Sequence, residues 1–288
     1  MSILVDSNTK VMIQGITGQQ ASFHVKASQE YGTNIVAGVS LSKVGKKHLG
    51  VPVFSSVKEA KDKTGANASV LYVPAKYIKS AMIEAIEAEI DVAVCITDGI
   101  PVKDMLEIKS ALKGSKTKLI GPNTPGLISP QNKVRMGIYS ASIVKKGNVG
   151  IVSRSSTLTY EAILETNRAK MGQSTVIGLG DDVLIGQDFV DVIKRFHEDK
   201  QTKFIVMIGQ LGGFFEEEGA KYYATIKNKK PIIAYVAGNT IPEGSQMGYI
   251  GDLIAGSQDV KTKEDVLKKS GIIVVEKINQ IHQELLKL

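Results

Sequence analysis

Short apolar runs alternate along this chain with segments whose apolar residues recur at helical intervals. Residues 92–96 are apolar at every position, which suits a strand covered on both faces of its sheet. Repeated alternation of strand and helix predicts doubly wound, mainly parallel α/β sheets. A helix is also expected after Ser56, because Glu59 follows at capping-box spacing. The predicted strands cover residues 10–14, 34–39, 52–54, 69–73, 92–96, 119–120, 149–152, 174–177, 204–208, 231–236 and 272–275.

The first predicted strand ends in a glycine turn that leads into a helix. Gly15 and Gly18 form this turn, and amide and hydroxyl side chains follow it. Such a turn directs backbone N–H groups and the positive end of a helix at its ligand, most often a phosphate. The third glycine of the dinucleotide fingerprint is missing, and similar turns also occur for steric reasons alone. On this motif by itself, phosphate binding and a purely structural turn both stay open.

The net positive charge of the chain lies entirely in its first half. Residues 1–145 carry 18 Lys and Arg against 11 Asp and Glu, a difference of +7, whereas residues 146–288 carry 18 of each. This asymmetry suits an anionic ligand. A small phosphorylated molecule is favoured over nucleic acid, because the lysines are dispersed and Arg135 is the only arginine of that half.

Composition excludes several other classes of protein. No apolar run approaches the ~20 residues of a membrane span, and the start lacks a signal-peptide pattern. A single cysteine, Cys95, excludes an internal disulfide and fits a reducing compartment, so we expect the cytoplasm, or the mitochondrial matrix for a mature organellar chain. The four histidines lack metal-site spacing, so no metal site is expected and each is interpreted as a surface or capping residue.

The segment 127–147 is polar and irregular, and it predicts a linker between two domains. The strand–helix order restarts at residue 149, and the hydroxyl-rich stretch Ser155-Ser156-Thr157 then begins a helix. Since loops at the carboxyl ends of strands form the ligand crevice of an open α/β sheet, the second domain has a candidate site of its own. The predicted division is residues 1–126, the linker 127–147 and residues 148–288.

Several motifs, in this order, resemble the α subunit of succinyl-CoA synthetase, also called succinate–CoA ligase. They read Gly-Ile-Thr-Gly from Gly15, Gly-Pro-Asn-Thr-Pro-Gly from Gly121, Gly-Ile-Val-Ser-Arg-Ser from Gly150, Thr-Leu-Thr-Tyr-Glu-Ala from Thr157 and Val-Met-Ile-Gly from Val206. The resemblance implies a Rossmann-like CoA-binding domain followed by a flavodoxin-like ligase domain. It also implies a separate β subunit that binds ATP or GTP with Mg, and the joining of succinate to CoA through a phosphohistidine.

Matching by position implies which residues contact the ligands. The residues matched to CoA contacts are Thr17, Gly18, Gln19, Gln20, Lys43, Ile96, Thr97, Asp98 and Asn123. The family often has Glu where Asp98 stands, and Thr124 replaces a common cysteine. Tyr160 matches a residue associated with the carboxylate of the substrate, which would be succinate or a related acid.

The phosphoryl path of the family is altered in five places. Tyr249 stands at the position of the phosphohistidine, and Gln210 at that of the glutamate that orients it. The phosphate loop of the family, Gly-Gly-Asp-Pro, reads Gly-Asp-Asp-Val from Gly180, and its Ser-Gly-Thr helix start reads Ser155-Ser156-Thr157. A basic run of the family is replaced by residues 243–246.

These replacements predict impaired phosphoryl transfer. A tyrosine phosphate ester is too stable to pass its phosphoryl group on, and an amide cannot stabilise an imidazolium as a carboxylate does. Asp181 would repel phosphate unless its side chain points to solvent. Three hypotheses follow: a CoA-binding subunit without phosphoryl transfer, an active acyl-CoA ligase or transferase subunit that uses groups of a partner, and a nicotinamide-dependent oxidoreductase. The last has least support, because residues 35–39 offer no carboxylate for a ribose.

Overall fold

The computed structural model describes residues 2–238 and 260–288, and its first seven-stranded sheet lies in the first half of the chain. Its strands are β1 (Val11–Gln14), β2 (Ile35–Val39), β3 (Lys47–His48), β4 (Val51–Phe54), β5 (Ala68–Leu71), β6 (Val92–Cys95) and β7 (Lys118–Ile120). The strand order is β3-β4-β2-β1-β5-β6-β7, and only β3 runs antiparallel to its neighbour. The connecting helices are α1 (Gln19–Tyr31), α2 (Val57–Thr64), α3 (Ala75–Glu87) and α4 (Val102–Leu112).

A second seven-stranded sheet follows in the chain. Its strands are β8 (Gly126–Ser129), β9 (Val134–Gly137), β10 (Lys146–Ser153), β11 (Gln173–Gly178), β12 (Phe204–Gln210), β13 (Ile232–Ala237) and β14 (Ile273–Val274). The strand order is β14-β13-β12-β10-β11-β8-β9, in which β8 runs antiparallel to both β11 and β9 and the other neighbouring strands pair in parallel. Its helices are α5 (Leu158–Arg168), α6 (Phe189–Glu198), α7 (Phe215–Thr225), α8 (Val260–Lys269) and α9 (Ile281–Leu285), with a 3-10 turn at Ile278–Gln280.

The predicted fold class is confirmed, and every predicted strand is present with small differences at its ends. Strands β1, β5 and β6 are buried at every residue, because helices cover both faces of the sheet. The helix expected after Ser56 is α2, and Ser56 Oγ accepts a hydrogen bond from Glu59 N at 3.1 Å. The Glu59 carboxylate bonds to Ser55 instead of closing the box on Ser56.

The expectation that residues 127–147 are an irregular linker is wrong for much of that segment. Strands β8 and β9 occupy residues 126–137 and extend the second sheet beyond β11. Their residues are all buried, because they pair through an antiparallel hairpin whose hydrophobic side chains join the core. The domain limits themselves stay a prediction.

Side chains of β9 and α1 tie the two sheets together. Arg135, which is only 4% exposed, donates to His24 O at 2.9 Å and to Ser28 Oγ at 2.7 Å on α1. Tyr72, after β5, donates its hydroxyl to Gly137 O at 3.0 Å. Helix α1 is therefore fixed against both sheets. In the part of the chain that is described, no helix has the length and apolar character that crossing a bilayer requires.

Candidate functional site

The glycine turn predicted from the sequence connects β1 to α1. Gly15 has a φ of +78°, and a Cβ there would lie 2.4 Å from Tyr72 O, so the turn requires glycine at this position. Gly18 is the N-cap of α1 and has no side chain to accept hydrogen bonds from the first-turn N–H groups. Gln19 and Gln20 follow it on the surface. The turn thus has the form of an anion site at a helix N-terminus.

Hydroxyl groups and Lys43 surround the mouth of this turn. Thr17 Oγ1 lies 2.9 Å from both Ser40 Oγ and Ser42 Oγ, in the loop after β2. Lys43 is exposed in the same loop, and its Nζ is 3.1 Å from His48 Nδ1. A neighbouring cavity of about 600 Å³ runs from Gly15 and Ser40 towards Tyr77 on α3. The loop therefore supplies a cation and hydrogen-bonding groups beside a cavity of ligand size.

The residues predicted at the end of β6 lie at the same edge of the first sheet. Ile96 and Thr97 are half-buried, and Asp98 is exposed. Thr97 Oγ1 donates to Val73 O at 2.6 Å, and Thr97 O accepts from Asn123 N at 2.9 Å. These bonds join the ends of β5, β6 and β7 along the carboxyl edge, where open α/β sheets bind their ligands.

Asn123 links this edge to the second sheet. Its Nδ2 donates to Asp181 O at 2.9 Å, and Asp181 N donates to Asn123 O at 3.1 Å. Gly180, with a φ of +101°, is buried there, and a Cβ would lie 2.0 Å from Pro122 O. Asn123, matched to a CoA contact, and the expected phosphate loop at Gly180 are therefore in direct contact.

A buried charge cluster stands at the carboxyl ends of β10, β11 and β12. Gln210 donates its side-chain amide to the Asp181 carboxylate, which is also 3.8 Å from Arg154 Nη2. Arg154 Nη1 is 3.2 Å from Glu216 Oε1, and Glu216 Oε2 is 2.8 Å from Lys263 Nζ. Arg154, Glu216 and Lys263 are all nearly inaccessible to solvent, so each depends on its partners.

Asp181 does not point to solvent, since only 9% of its side chain is exposed. Burial raises the pKa of its carboxyl, while Arg154 and the Gln210 amide act in the opposite direction. The side-chain amide of Gln210 already donates its hydrogen bond to the Asp181 carboxylate of the same chain. Arg154 and Gln210 thus offset part of the cost of burying the Asp181 carboxylate at the place where the family resemblance puts phosphate.

The other predicted residues lie in the loop before α5, on α5 itself, or outside the described residues. Ser155 Oγ accepts from Leu158 N at 3.2 Å, so one first-turn N–H of α5 already has a partner. Ser156 is half-buried beside it. Tyr160 is half-buried on α5, with its ring 5.8 Å from that of Tyr139. Tyr249 lies outside the described residues, so its relation to Gln210 stays a prediction.

Sequence reasoning missed several polar residues around both parts of the site. Arg154 was visible within the Gly150 motif, but its partner Glu216 is 62 residues away in the chain. His48 was interpreted as a surface or capping residue, yet it contacts both Lys43 and Ser22. Among the residues of 2–238 and 260–288, no group of three or more His, Cys, Asp and Glu could hold a metal ion.

Two family models and many relatives match this chain. A model described as CoA binding domain matches residues 6–99, and one described as CoA-ligase matches residues 152–284. A relative from Staphylococcus epidermidis, "Succinate--CoA ligase [ADP-forming] subunit alpha", is 48% identical over 270 residues, covering 92% of this chain and 89% of the relative. A relative of the same name from Staphylococcus aureus is 47% identical, covering 93% and 87%.

Solved structures show the same fold at lower identity. An ATP citrate lyase from Methanothrix soehngenii, in complex with citrate and coenzyme A, superposes with a TM-score of 0.84 at 22% identity. That match covers 99% of this chain and 51% of the lyase chain. A dinucleotide-forming acetyl-coenzyme A synthetase from Ca. Korarchaeum cryptofilum gives a TM-score of 0.78 at 19% identity, covering 96% and 59%. This chain thus spans little more than half of either solved chain.

Proposed function

Because this chain belongs to the family of succinate–CoA ligase α subunits, we propose that it binds CoA and works beside a β-type subunit, with impaired phosphoryl transfer. The proposal combines two parts of the molecule. The carboxyl edge of the first sheet would hold CoA, and the polar cluster of the second sheet would lie on the former phosphoryl path. The acyl acceptor would be succinate or a related acid, with Tyr160 near its carboxylate.

Support for CoA binding comes from the charges and shape of the first site. The N-terminus of α1, the hydroxyl of Thr17 and the ammonium group of Lys43 offer donors and positive charge to phosphate groups. The 600 Å³ cavity beside them suits the bulk of a nucleotide, and residues 96–98 and Asn123 continue the same edge towards the second sheet. CoA would therefore extend from the α1 turn towards Asn123 and the Gly180 loop.

Support for impaired phosphoryl transfer comes from one contact above all, between Gln210 and Asp181. A phosphohistidine needs an orienting carboxylate, whereas the side chain of Gln210 donates its amide to Asp181. The carboxylate of Asp181 would repel a phosphoryl group brought to the same loop. Ser155 already accepts from one first-turn N–H of α5, which weakens that helix start as a phosphate site. Tyr249 would not replace a histidine as a reversible phosphoryl carrier.

ATP or GTP with Mg would be bound through the β-type partner. The chain would then contribute CoA and acyl-substrate positioning to the complex. Within the described residues, the acidic groups near Gln210 already pair with Arg154 and Lys263, which does not favour a metal site at that cluster.

The CoA part of the proposal is tested by calorimetry with CoA and with NAD. We expect clear binding of CoA and little heat with NAD, because the α1 turn lacks the third fingerprint glycine. A matched control is 3′-dephospho-CoA, which removes one phosphate and should bind more weakly if the cationic first half contacts it. Preference for NAD would support the oxidoreductase hypothesis, and no binding of either ligand would contradict the proposal.

The phosphoryl part is tested with the copurified complex and γ-labelled ATP. We expect no acid-labile label on the wild-type chain, because its position 249 lacks histidine. Tyr249→His alone should also fail, since Gln210 and Asp181 would remain. Label is expected only when Gln210→Glu and Asp181→Gly accompany Tyr249→His, because such groups act as a unit. Robust labelling of the wild type would instead support an active ligase subunit.

A further inference from the structure

His48 connects the loop that carries Lys43 to the first turns of α1. It lies on the edge strand β3, and its ring is half-buried between these two segments. Its Nε2 is 2.7 Å from Ser22 Oγ, and its Nδ1 is 3.1 Å from Lys43 Nζ. One imidazole therefore bridges the helix and the exposed lysine.

The chemistry of the three groups fixes the direction of the hydrogen bonds. An ammonium group only donates, so His48 Nδ1 must be the acceptor from Lys43 and carry no proton. The proton of the neutral ring is then on Nε2, which donates to Ser22 Oγ. The Ser22 hydroxyl in turn donates to Gly18 O at 2.9 Å. All donors thus run in one direction, from Lys43 to the N-cap of α1.

Electrostatics favour the same protonation state. Partial burial lowers the pKa of the His48 imidazole, and the positive charge of Lys43 lowers it further. A neutral ring keeps Nδ1 available as an acceptor. The position of the Lys43 ammonium is therefore coupled to an element of the fold, although the lysine itself is exposed.

We propose that His48 is a positioning residue of the CoA site, which holds the Lys43 ammonium beside the N-terminus of α1 before the ligand arrives. This inference rests on the proposed binding of CoA at Lys43. A long lysine side chain loses rotamer freedom when it binds a phosphate, and holding it in place beforehand reduces that cost. Loss of the bridge should weaken CoA binding by about threefold to tenfold, the effect of immobilising one flexible side chain.

A double-mutant cycle tests whether His48 acts through Lys43. The dissociation constant for CoA is measured by calorimetry for the wild type, His48→Phe, Lys43→Met and the double variant. We expect His48→Phe to raise the constant about threefold to tenfold in the wild-type background and by less than about twofold in the Lys43→Met background. An equal effect in both backgrounds, or no effect in the wild type, would overturn the inference.

Two further variants separate positioning from a structural role. His48→Asn keeps an acceptor near the position of Nδ1, so it should restore much of the affinity that His48→Phe loses. Ser22→Ala removes the acceptor of the Nε2 proton and should weaken CoA binding only while Lys43 is present. If His48→Phe does not fold, Ser22→Ala is compared in the wild-type and Lys43→Met backgrounds instead. An equal loss of CoA affinity in both backgrounds overturns the inference. Failure of the wild type to bind CoA would overturn the proposed function and this role together.

Discussion

Gln210→Glu should place two carboxylates in contact inside the charge cluster of the second sheet. In the wild type the Gln210 amide donates to Asp181, and Arg154 is 3.8 Å from the same carboxylate. Two full charges ~3 Å apart would repel by about 5 kcal/mol at an effective dielectric constant of about 20. Binding one proton at pH 7 costs less, about 4 kcal/mol for a carboxyl whose ordinary pKa is ~4.3. The pair should therefore take up a proton, and the loss of stability should be about 3 to 4 kcal/mol, with Arg154 offsetting part of it.

The pH dependence identifies this cause. A carboxyl whose folded pKa is raised binds more protons in the folded state, so stability falls as pH rises above the unfolded pKa of ~4. Burial already raises the pKa of Asp181, and a second carboxylate beside it should raise the pKa of the pair further. The fall in stability should therefore continue to a higher pH in the variant than in the wild type. Urea unfolding followed by circular dichroism should show a large loss at pH 7 and only about 1 kcal/mol at pH 5. The control Gln210→Glu/Asp181→Asn should recover most of the stability at pH 7. Equal losses at both pH values, or none at pH 7, would refute the contact.

Three further substitutions test the first site and its attachment. Lys43→Ala should weaken CoA binding and flatten its salt dependence in calorimetry, because a screened charge contact is lost; an unchanged salt slope would contradict that contact. Gly15→Ala should lower the melting temperature more than Gly45→Ala does, since both have positive φ but only Gly15 has a backbone atom 2.4 Å from the new Cβ. Arg135→Met should lower the free energy of unfolding in urea by about 3 kcal/mol, because it leaves buried acceptors without a donor. The control Lys26→Met, at an exposed position, should lower it hardly at all, and similar losses for both would contradict the role of Arg135 in holding α1.

The strands of both sheets were predictable because their signal is local. Each central strand is a short apolar run, and the Gly15 turn follows the first of them at once. Strands β8 and β9 were missed because they lie in a segment whose polar composition is typical of a loop. Strand β8 is placed in the sheet by pairing with β11, about 50 residues further along, as in Val176 with Ile128, and β9 in turn pairs with β8. No local pattern records such a pairing.

The candidate site residues also divide into those that local sequence predicts and those that depend on partners distant in the chain. Positions 17–20, 43, 96–98 and 123 follow strands or motifs, and the structure places them along one edge of the first sheet. The polar cluster of the second sheet depends on partners distant in sequence, since Lys263 and Glu216 are 47 residues apart. The orientation of Asp181 was undecidable from its motif, because it is set by an amide 29 residues away. Side-chain pairing across a fold is a tertiary property, and a single sequence gives little information on it.

The hydrogen bonds from β9 and its end to α1 and Tyr72 limit where this chain can be divided to make a chimaera. A fragment that ends at residue 126 would lack Arg135, the donor to His24 O and Ser28 Oγ on α1. It would also lose Gly137 O, the acceptor of the Tyr72 hydroxyl. Residues 1–126 alone would therefore lack contacts that hold α1 and Tyr72 in place. A chimaera that joins it to the second half of another family member should retain the native hairpin of residues 126–137, and a fusion point beyond that hairpin should give better-folded hybrids than one before it.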